Sequence, residues 1–163
     1  MKIGLMSDTH GFLDQRFIRH IRGCDEIWHA GDFGNIETAG RLSSIKLLRG
    51  VYGNIDGQIV RIAYPEILRF SCENVDVLIK HIGGYPGNYD RSVIQLIREN
   101  PPKLFISGHS HILKVIFDKK YNLLHINPGA AGKSGLHKVQ TMVKFTVNQS
   151  EIKDLEVVEL ERK

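Results

Sequence analysis

Cysteine is scarce in this chain of 163 residues: only Cys24 and Cys72 occur, far apart and in no C-x-x-C pair. That excludes a disulfide scaffold and a thiolate metal site, and it points to free thiols in a reduced compartment, the cytoplasm. Long apolar runs are missing too. The stretch Met1 to Met6 gives way at once to Ser7-Asp8-Thr9-His10. It is too short for a signal-peptide core or a membrane span, so no membrane partner is expected. Like charges never run to five in succession. The net charge of +4 is spread over scattered Lys and Arg, which reads as a solvated basic surface and not as the concentrated footprint of a nucleic-acid binder. No repeat, low-complexity stretch or linker divides the chain. With 42% apolar and 25% charged residues, residues 1–163 are expected to form one globular domain that encloses its core unaided.

What the chain does have is an alternation of short apolar runs with helical patterns. Ile3 to Met6 reads as a buried strand; Leu13, Phe17, Ile18 and Ile21 then recur at helical spacing until Gly23. Glu26 to Ala30 is a second strand, Asn35 caps a helix through Leu42, and Leu47 to Tyr52 is a third strand. This β-α-β-α-β order implies a parallel sheet with helices packed on it. Ile67 to Cys72 and Val75 to His81 read as two strands about a turn at Glu73-Asn74. A loop rich in Gly and Tyr follows, then a helix carrying Val93, Ile94, Leu96 and Ile97, then a short strand from Leu104 to Ser107. The last third is all-β: a hairpin of Leu113–Asp118 with Leu123–Asn127, an alternating strand from Val139 to Val147, and Ile152 to Leu160, whose pattern fits a strand or a short helix. The expected fold class is α/β: a two-sheet β-sandwich flanked by helices.

Histidine occurs eight times, and its placement carries the chemistry. Asp8-Thr9-His10, Gly31-Asp32, Gly53-Asn54, His81 and Gly108-His109-Ser110-His111 each fall at the C-terminal end of an expected strand. Ligands of open α/β sheets bind outside those carboxyl ends. Four imidazoles, two carboxylates and a carboxamide are too many for one ion, since zinc takes about four ligands. Two divalent ions are therefore expected. Imidazole with oxygen ligands and no thiolate suits Mn, Fe, Zn or Ni better than Ca; Mn is the ion expected, with Ni, Fe or Zn as alternatives.

The order D-x-H, G-D, G-N-x-D, H, G-H-x-H resembles the calcineurin-like metallophosphoesterases. It is met here by DTH at 8–10, GD at 31–32, GNID at 53–56, His81 and GHSH at 108–111. The short length and Asn127-Pro128-Gly129 are similar to the small bacterial and archaeal phosphodiesterases related to the retromer subunit Vps29. The resemblance implies the four-layer α/β/β/α fold and a role for each residue. Asp8, His10, Asp32 and His111 would hold one metal; Asp32, Asn54, His81 and His109 would hold the other. Asp32, Asn54 and His81 would also serve catalysis, with Asn54 touching the substrate phosphate. A hydroxide bridging the metals would attack phosphorus in line, and Gly31 and Gly53 would let main-chain N–H groups approach phosphate oxygens. The implied partner is a small phosphodiester, nucleotide-like in one version; a homodimer is a further expectation. The alternative is a non-catalytic protein-binding scaffold like Vps29, although such a scaffold has no need of the full ligand set.

Where many members of the superfamily read G-N-H-D, this chain has Ile55, which cannot protonate a leaving group. Asp56 fits an orienter of a ligand or a turn former before Gly57 equally well. His29 reads as a partly buried strand residue, with a buttress for a ligand as the alternative, and His20, His125 and His137 match no motif. Tyr85 and Tyr89 are candidates for stacking on a substrate ring. The absence of a histidine acid favours diesters with good leaving groups. A monoester of a poorly leaving alcohol should turn over roughly a hundredfold or more slower than a diester releasing p-nitrophenolate. Comparable rates in parallel assays would mean that another residue supplies the proton.

Overall fold

The computed structural model describes residues 1–162. In chain order the elements are β1 (Lys2–Met6), α1 (Gln15–Ile21), β2 (Glu26–His29), α2 (Ile36–Ser43), β3 (Leu47–Gly50) and α3 (Gln58–Ala63). There follow β4 (Ile67–Cys72), β5 (Val75–Lys80), β6 (Gly84–Tyr85), β7 (Asn88–Tyr89), α4 (Arg91–Glu99) and β8 (Leu104–Ile106). The chain ends with β9 (Leu113–Asp118), β10 (Leu123–Pro128), β11 (Val139–Asn148) and β12 (Glu151–Glu161).

Strand periodicity decides the layering. In β1 the pleat sends Ile3 and Leu5 to one face and Met6 to the other. Strands β1, β2 and β3 run parallel, β11 joins the free edge of β1 antiparallel, and β12 closes the order β12-β11-β1-β2-β3. The second sheet runs β4-β5-β8-β10-β9, with β5, β8 and β10 parallel and antiparallel strands at both edges. Ile3, Leu5, Trp28 and Phe145 of the first sheet meet Val77, Ile79, Ile106 and Ile126 of the second in one buried layer. On the outer face of the first sheet, Phe17 and Ile21 of α1 and Leu42 of α2 cover Met6 and Ile27. On the second, Val93 and Ile97 of α4 cover Leu78 and Phe105. The result is the α/β/β/α sandwich that the resemblance implied. Each fully buried apolar side chain contributes roughly 1.5–3 kcal/mol, and this packing fixes the positions of the strand ends.

Helix caps follow the sequence. Asn35 Oδ1 accepts from Thr38 N at 2.8 Å, and Asp14 and Asp90 cap α1 and α4. Three details differ from expectation. Strand β3 stops at Gly50, because Tyr52 N donates instead to Pro65 O at 3.0 Å. Helix α3 was not foreseen: Gly57 gives its start no side-chain cap, and exposed Ile59 and Ile62 blur any amphipathic stripe. The loop after His81 contains the small hairpin β6–β7, too short to show a period of two. The ambiguous C-terminal segment is a strand, paired with β11 from Val139↔Glu161 to Asn148↔Glu151. Both cysteines are free and buried, and no helix among the described residues is long and apolar enough to cross a membrane.

His125 gives this packing a pH signature. It is wholly buried beside Phe105, at a ring separation of 5.4 Å, and burial pushes its imidazole down to about 4 from 6.5. The unfolded chain takes up this proton below pH 6.5, the folded chain only below about 4. Stability is therefore complete above pH 6.5 and falls as pH drops toward 4, by about 3 kcal/mol from this residue. Urea unfolding of metal-free protein between pH 7 and 4.5 should show the fall, and His125→Phe should make it shallower, with buried His29 supplying the remainder. Parallel pH profiles for the two proteins would contradict this account.

Candidate active site

All seven residues singled out in the sequence meet at one rim. Asp8 and His10 follow β1, Asp32 follows β2, Asn54 follows β3, His81 follows β5, and His109 and His111 follow β8. The ligand atoms of Asp8, His10 and His111 lie within 4.8 Å of one another, and so do those of Asp32, His81 and His109. Each trio has the geometry to hold an ion. Asp32 stands between them: its Oδ2 is 3.2 Å from His81 Nε2 and 3.7 Å from His10 Nε2. Asn54 Oδ1 lies 3.1 Å from His81 Nε2 and completes the second group.

The turns that present these groups adopt unusual backbone. Asp8, His10, Asp32, His109 and His111 all have positive φ, between 48° and 68°. Left-handed conformation in a non-glycine residue costs of order 1 kcal/mol or more and persists only where the surroundings over-determine it. Main-chain bonds lace the turns together: Asp8 N donates to Gly31 O at 2.9 Å and His10 N to Asp32 O at 3.1 Å. Asp8 Oδ2 accepts from His109 N at 3.1 Å, so the β1 turn also grips the β8 turn.

Three further side chains hold the turns. Asp56 is buried; its carboxylate accepts from Gly53 N and Gly34 N, each at 2.8 Å, and from Phe33 N at 3.2 Å. It orients no histidine. It ties the Asp32 turn to the Asn54 turn, a third role beside the two expected of it. His29 is wholly buried, more so than anticipated, and bridges Thr9 Oγ1 (3.0 Å) to Gly31 N (3.1 Å). Burial pushes its imidazole down to about 3, so it stays neutral between the two turns. Asn127 Nδ2 donates to Gly108 O at 2.8 Å and to Ser110 Oγ at 3.1 Å, which steadies the His109 turn.

The N–H groups of Gly31 and Gly53 themselves are already bonded. Gly53 N is taken by Asp56 and Gly31 N by His29, so neither N–H is free for a phosphate oxygen. Their missing side chains matter instead: a Cβ at Gly53 would run into Asp32 Oδ1, and one at Gly31, at φ +99°, into His81 Nδ1. Tyr89 is also reassigned. Its hydroxyl donates to Asp118 at 2.6 Å, and its ring packs on Phe105 and Tyr121, so it anchors the hairpin and leaves Tyr85 as the exposed ring. His137, for which no role was read, packs edge-on against His111 at 5.3 Å and meets Gly132 O through Nε2 at 2.8 Å.

The electrostatics favour bound cations. Asp8 is wholly buried, yet its Oδ1 has no hydrogen-bond partner, although His111, His10 and His81 Nε2 stand 3.1, 3.8 and 3.9 Å away. Burial opposes ionisation of Asp8, but the facing imidazoles of His10, His111 and His81 prevail and hold its carboxyl well below the usual range. Asp32 is likewise lowered, with His81 overcoming the effect of burial. For His81 burial opposes protonation, but Asp32 and Asp8 prevail and raise it. Asp8 raises His10 directly. Imidazole nitrogens face each other as well, with 3.3 Å between His10 Nε2 and His111 Nε2. Lone pairs converging on two ionised carboxylates need protons or a shared cation, and N/O donors without thiolate suit a divalent transition metal.

A two-sheet sandwich between helices, with a carboxylate–imidazole rim at its parallel strand ends, is the architecture of the metallophosphatases. The model of the calcineurin-like phosphoesterase superfamily domain matches residues 1–150, and the chain belongs to that family, whose members use divalent metals. No curated protein sequence matches it. Among solved structures, wild-type Vps29 from Entamoeba histolytica complexed with zinc is similar at 17% identity, a TM-score of 0.76 and 100% of each chain covered. A conserved protein of Streptococcus pneumoniae described as a predicted phosphoesterase is 22% identical, with a TM-score of 0.70 and 99% and 89% coverage of this chain and that one. An archaeal phosphodiesterase is 20% identical, with a TM-score of 0.69 and 98% and 100% coverage. At these identities the likeness establishes the shared fold.

Asp56 offers a test of how the turns act on the site. Asp56→Asn keeps the side chain's size but removes the charge and one acceptor, so the three N–H groups are no longer all satisfied. Affinity for Mn²⁺, measured by calorimetric titration, should fall about 10–100-fold while the far-ultraviolet spectrum stays native. Unchanged affinity would show that the turns do not depend on this carboxylate.

Proposed function

We propose that this protein is a dinuclear metal-dependent phosphodiesterase. The observation that carries the reading is the placement of Asp32 between two ligand groups that meet at the ends of parallel strands. Asp8, His10, Asp32 and His111 would hold one divalent ion; Asp32, Asn54, His81 and His109 would hold the other. Two such ions, when bound, supply Lewis-acid charge and make water a nucleophile near neutral pH. The chain's own residues do the rest. Asp32 accepts from Ile55 N at 3.1 Å through Oδ1, which leaves Oδ2 directed at the imidazoles. His81 Nδ1 lies 2.7 Å from Ala30 O, so Nδ1 carries the proton and Nε2 is the ligating atom. Asn54, beside His81, is placed to steady both the second ion and a phosphate oxygen.

Specificity for diesters rests on two features. The Ile55 side chain, partly exposed at the rim, offers no proton to a leaving group. Two cavities, of about 400 and 480 Å³, open beside the site, one at His109 and one at Asn54 and His81, with Ile82 and Asp90 common to both. A diester has two arms to fill them and a monoester has one. Mn²⁺ is the working ion of this reading, with Ni, Fe or Zn as substitutes, in a single cytoplasmic domain. The likeness to Vps29 keeps a protein-binding scaffold as the second reading; the complete ligand set argues for the enzyme.

Metal analysis and hydrolysis of bis(p-nitrophenyl) phosphate decide between them. Chelated protein should be inactive and Mn²⁺ should restore turnover, while His81→Ala and Asp32→Ala should each lower kcat/KM by about a hundredfold or more. Full activity in both variants, or no metal-dependent turnover in wild type, would sink the enzyme reading.

A further inference from the structure

The two cavities differ in how their polar groups are used. Beside Asn54 and His81 every cation is already engaged. Arg61 lies 4.5 Å over the Tyr52 ring and donates to the carbonyls of Asp56 at 2.6 Å and Asn54 at 3.1 Å. Lys80, buried, pairs with Glu66 at 2.7 Å, and the Tyr52 hydroxyl donates to the same carboxylate at 3.3 Å. A ligand arm entering there meets cations whose donors are already taken, Arg61 by main-chain carbonyls and Lys80 by Glu66.

The cavity beside His109 is the reverse. Lys114, on β9, holds its ammonium 4.5 Å from the centre of the Tyr85 ring. Lys114, Arg91, the Asn88 amide and the Tyr85 hydroxyl all line the cavity, and none has a side-chain hydrogen bond or ion pair among the described residues. Tyr85 is 38% exposed. Its platform is nevertheless fixed. Tyr89 is tied to Asp118, Ser107 Oγ donates to Gly84 O at 3.0 Å, and Asp90 N donates to Gly83 O at 3.0 Å. Lys114 is held only by the Tyr85 ring, Arg91 has no counter-charge bonded to it, and the Asp90 carboxylate that shares the lining accepts from Ser92 N at 2.9 Å. An aromatic face beside two cations with free hydrogens and two uncommitted polar groups forms a recognition surface with a definite chemistry. An aromatic base can stack on the ring, and an anion can take the hydrogens of Lys114 and Arg91.

We propose that the His109-side cavity receives a nucleoside arm bearing a second phosphate, while the Asn54-side cavity, whose cations already have their hydrogen-bond partners, takes an uncharged arm. This rests on the phosphodiesterase reading and names its substrate class: phosphodiesters in which one arm is itself a nucleotide. Tyr85 and Lys114 are then specificity-determining residues, reached by the substrate arm and outside the metal-ligand set.

The test uses binding, so that it stands apart from turnover. Calorimetry on the Mn²⁺-loaded protein compares thymidine 3′,5′-bisphosphate with thymidine 3′-monophosphate and 5′-monophosphate. Wild type should bind the bisphosphate about tenfold more tightly than either monophosphate. In Lys114→Met/Arg91→Met that ratio should collapse to less than about twofold, whereas Arg98→Met, outside this cavity, should preserve it. Tyr85→Leu should weaken all three ligands by about tenfold through lost stacking. A wild-type ratio below twofold, or a ratio that survives the double substitution, overturns the proposal. Hydrolysis of bis(p-nitrophenyl) phosphate by wild type reports on the catalytic reading alone, so the two failures are distinguishable.

Discussion

Asp8 is an ionised carboxylate in a place where water does not reach it. An isolated buried charge would neutralise itself by taking a proton. Here His10 of its own turn and His81 and His111 of two other turns face it and hold it charged. Those imidazoles are brought there by strands of both sheets, so the charge is stable only while the sandwich is intact. The apolar layer between the sheets and the polar rim above it are therefore coupled. The core fixes where the strands end, and the strand ends decide whether Asp8 is compensated.

The backbone at the rim shows what this coupling costs. Five of the seven candidate ligands sit in left-handed conformation. Together these turns store several kcal/mol, a sizeable fraction of the net stability of an ordinary domain. Asp56, His29 and Asn127 offset the cost by satisfying main-chain N–H and C=O groups that such turns leave exposed. None of the three reaches outward to a substrate. Their bonds run from one turn to the next, which makes the rim a single unit built from turns far apart in sequence.

Much of this was legible in the residues. The apolar runs of β1 and β5 and the alternation in β11 placed these strands correctly, and the Asp, His and Asn residues after apolar runs marked the rim. Other features left no periodic trace. Helix α3 has a glycine cap and exposed isoleucines, and β6 and β7 are two residues each. Asp56 precedes a glycine as any turn aspartate does, and its role depends on Phe33 and Gly34, which only the fold brings near. Gly31 and Gly53 were identified as special, but the close approach of Asp32 and His81 that forbids a Cβ there, and the partners of their own N–H groups, depend on the fold. Tyr85 and Tyr89 are alike in sequence and differ only because Asp118 reaches the second.

Ile55 and the unequal cavities bear on one question: how a site built around metals chooses a substrate. Ligands held this tightly by neighbouring turns leave little freedom to vary. Discrimination has to come from side chains that the rim does not need. Ile55 is such a position, since only its backbone N–H serves Asp32. The β6–β7 hairpin is another: it is anchored at Gly83, Gly84 and Tyr89 and contributes nothing to the ligand set. A tyrosine at its tip and a lysine on the edge strand opposite can be exchanged without disturbing Asp8 or Asp32. The sandwich thus separates what must be rigid, the charged rim, from what can select, the walls beside it.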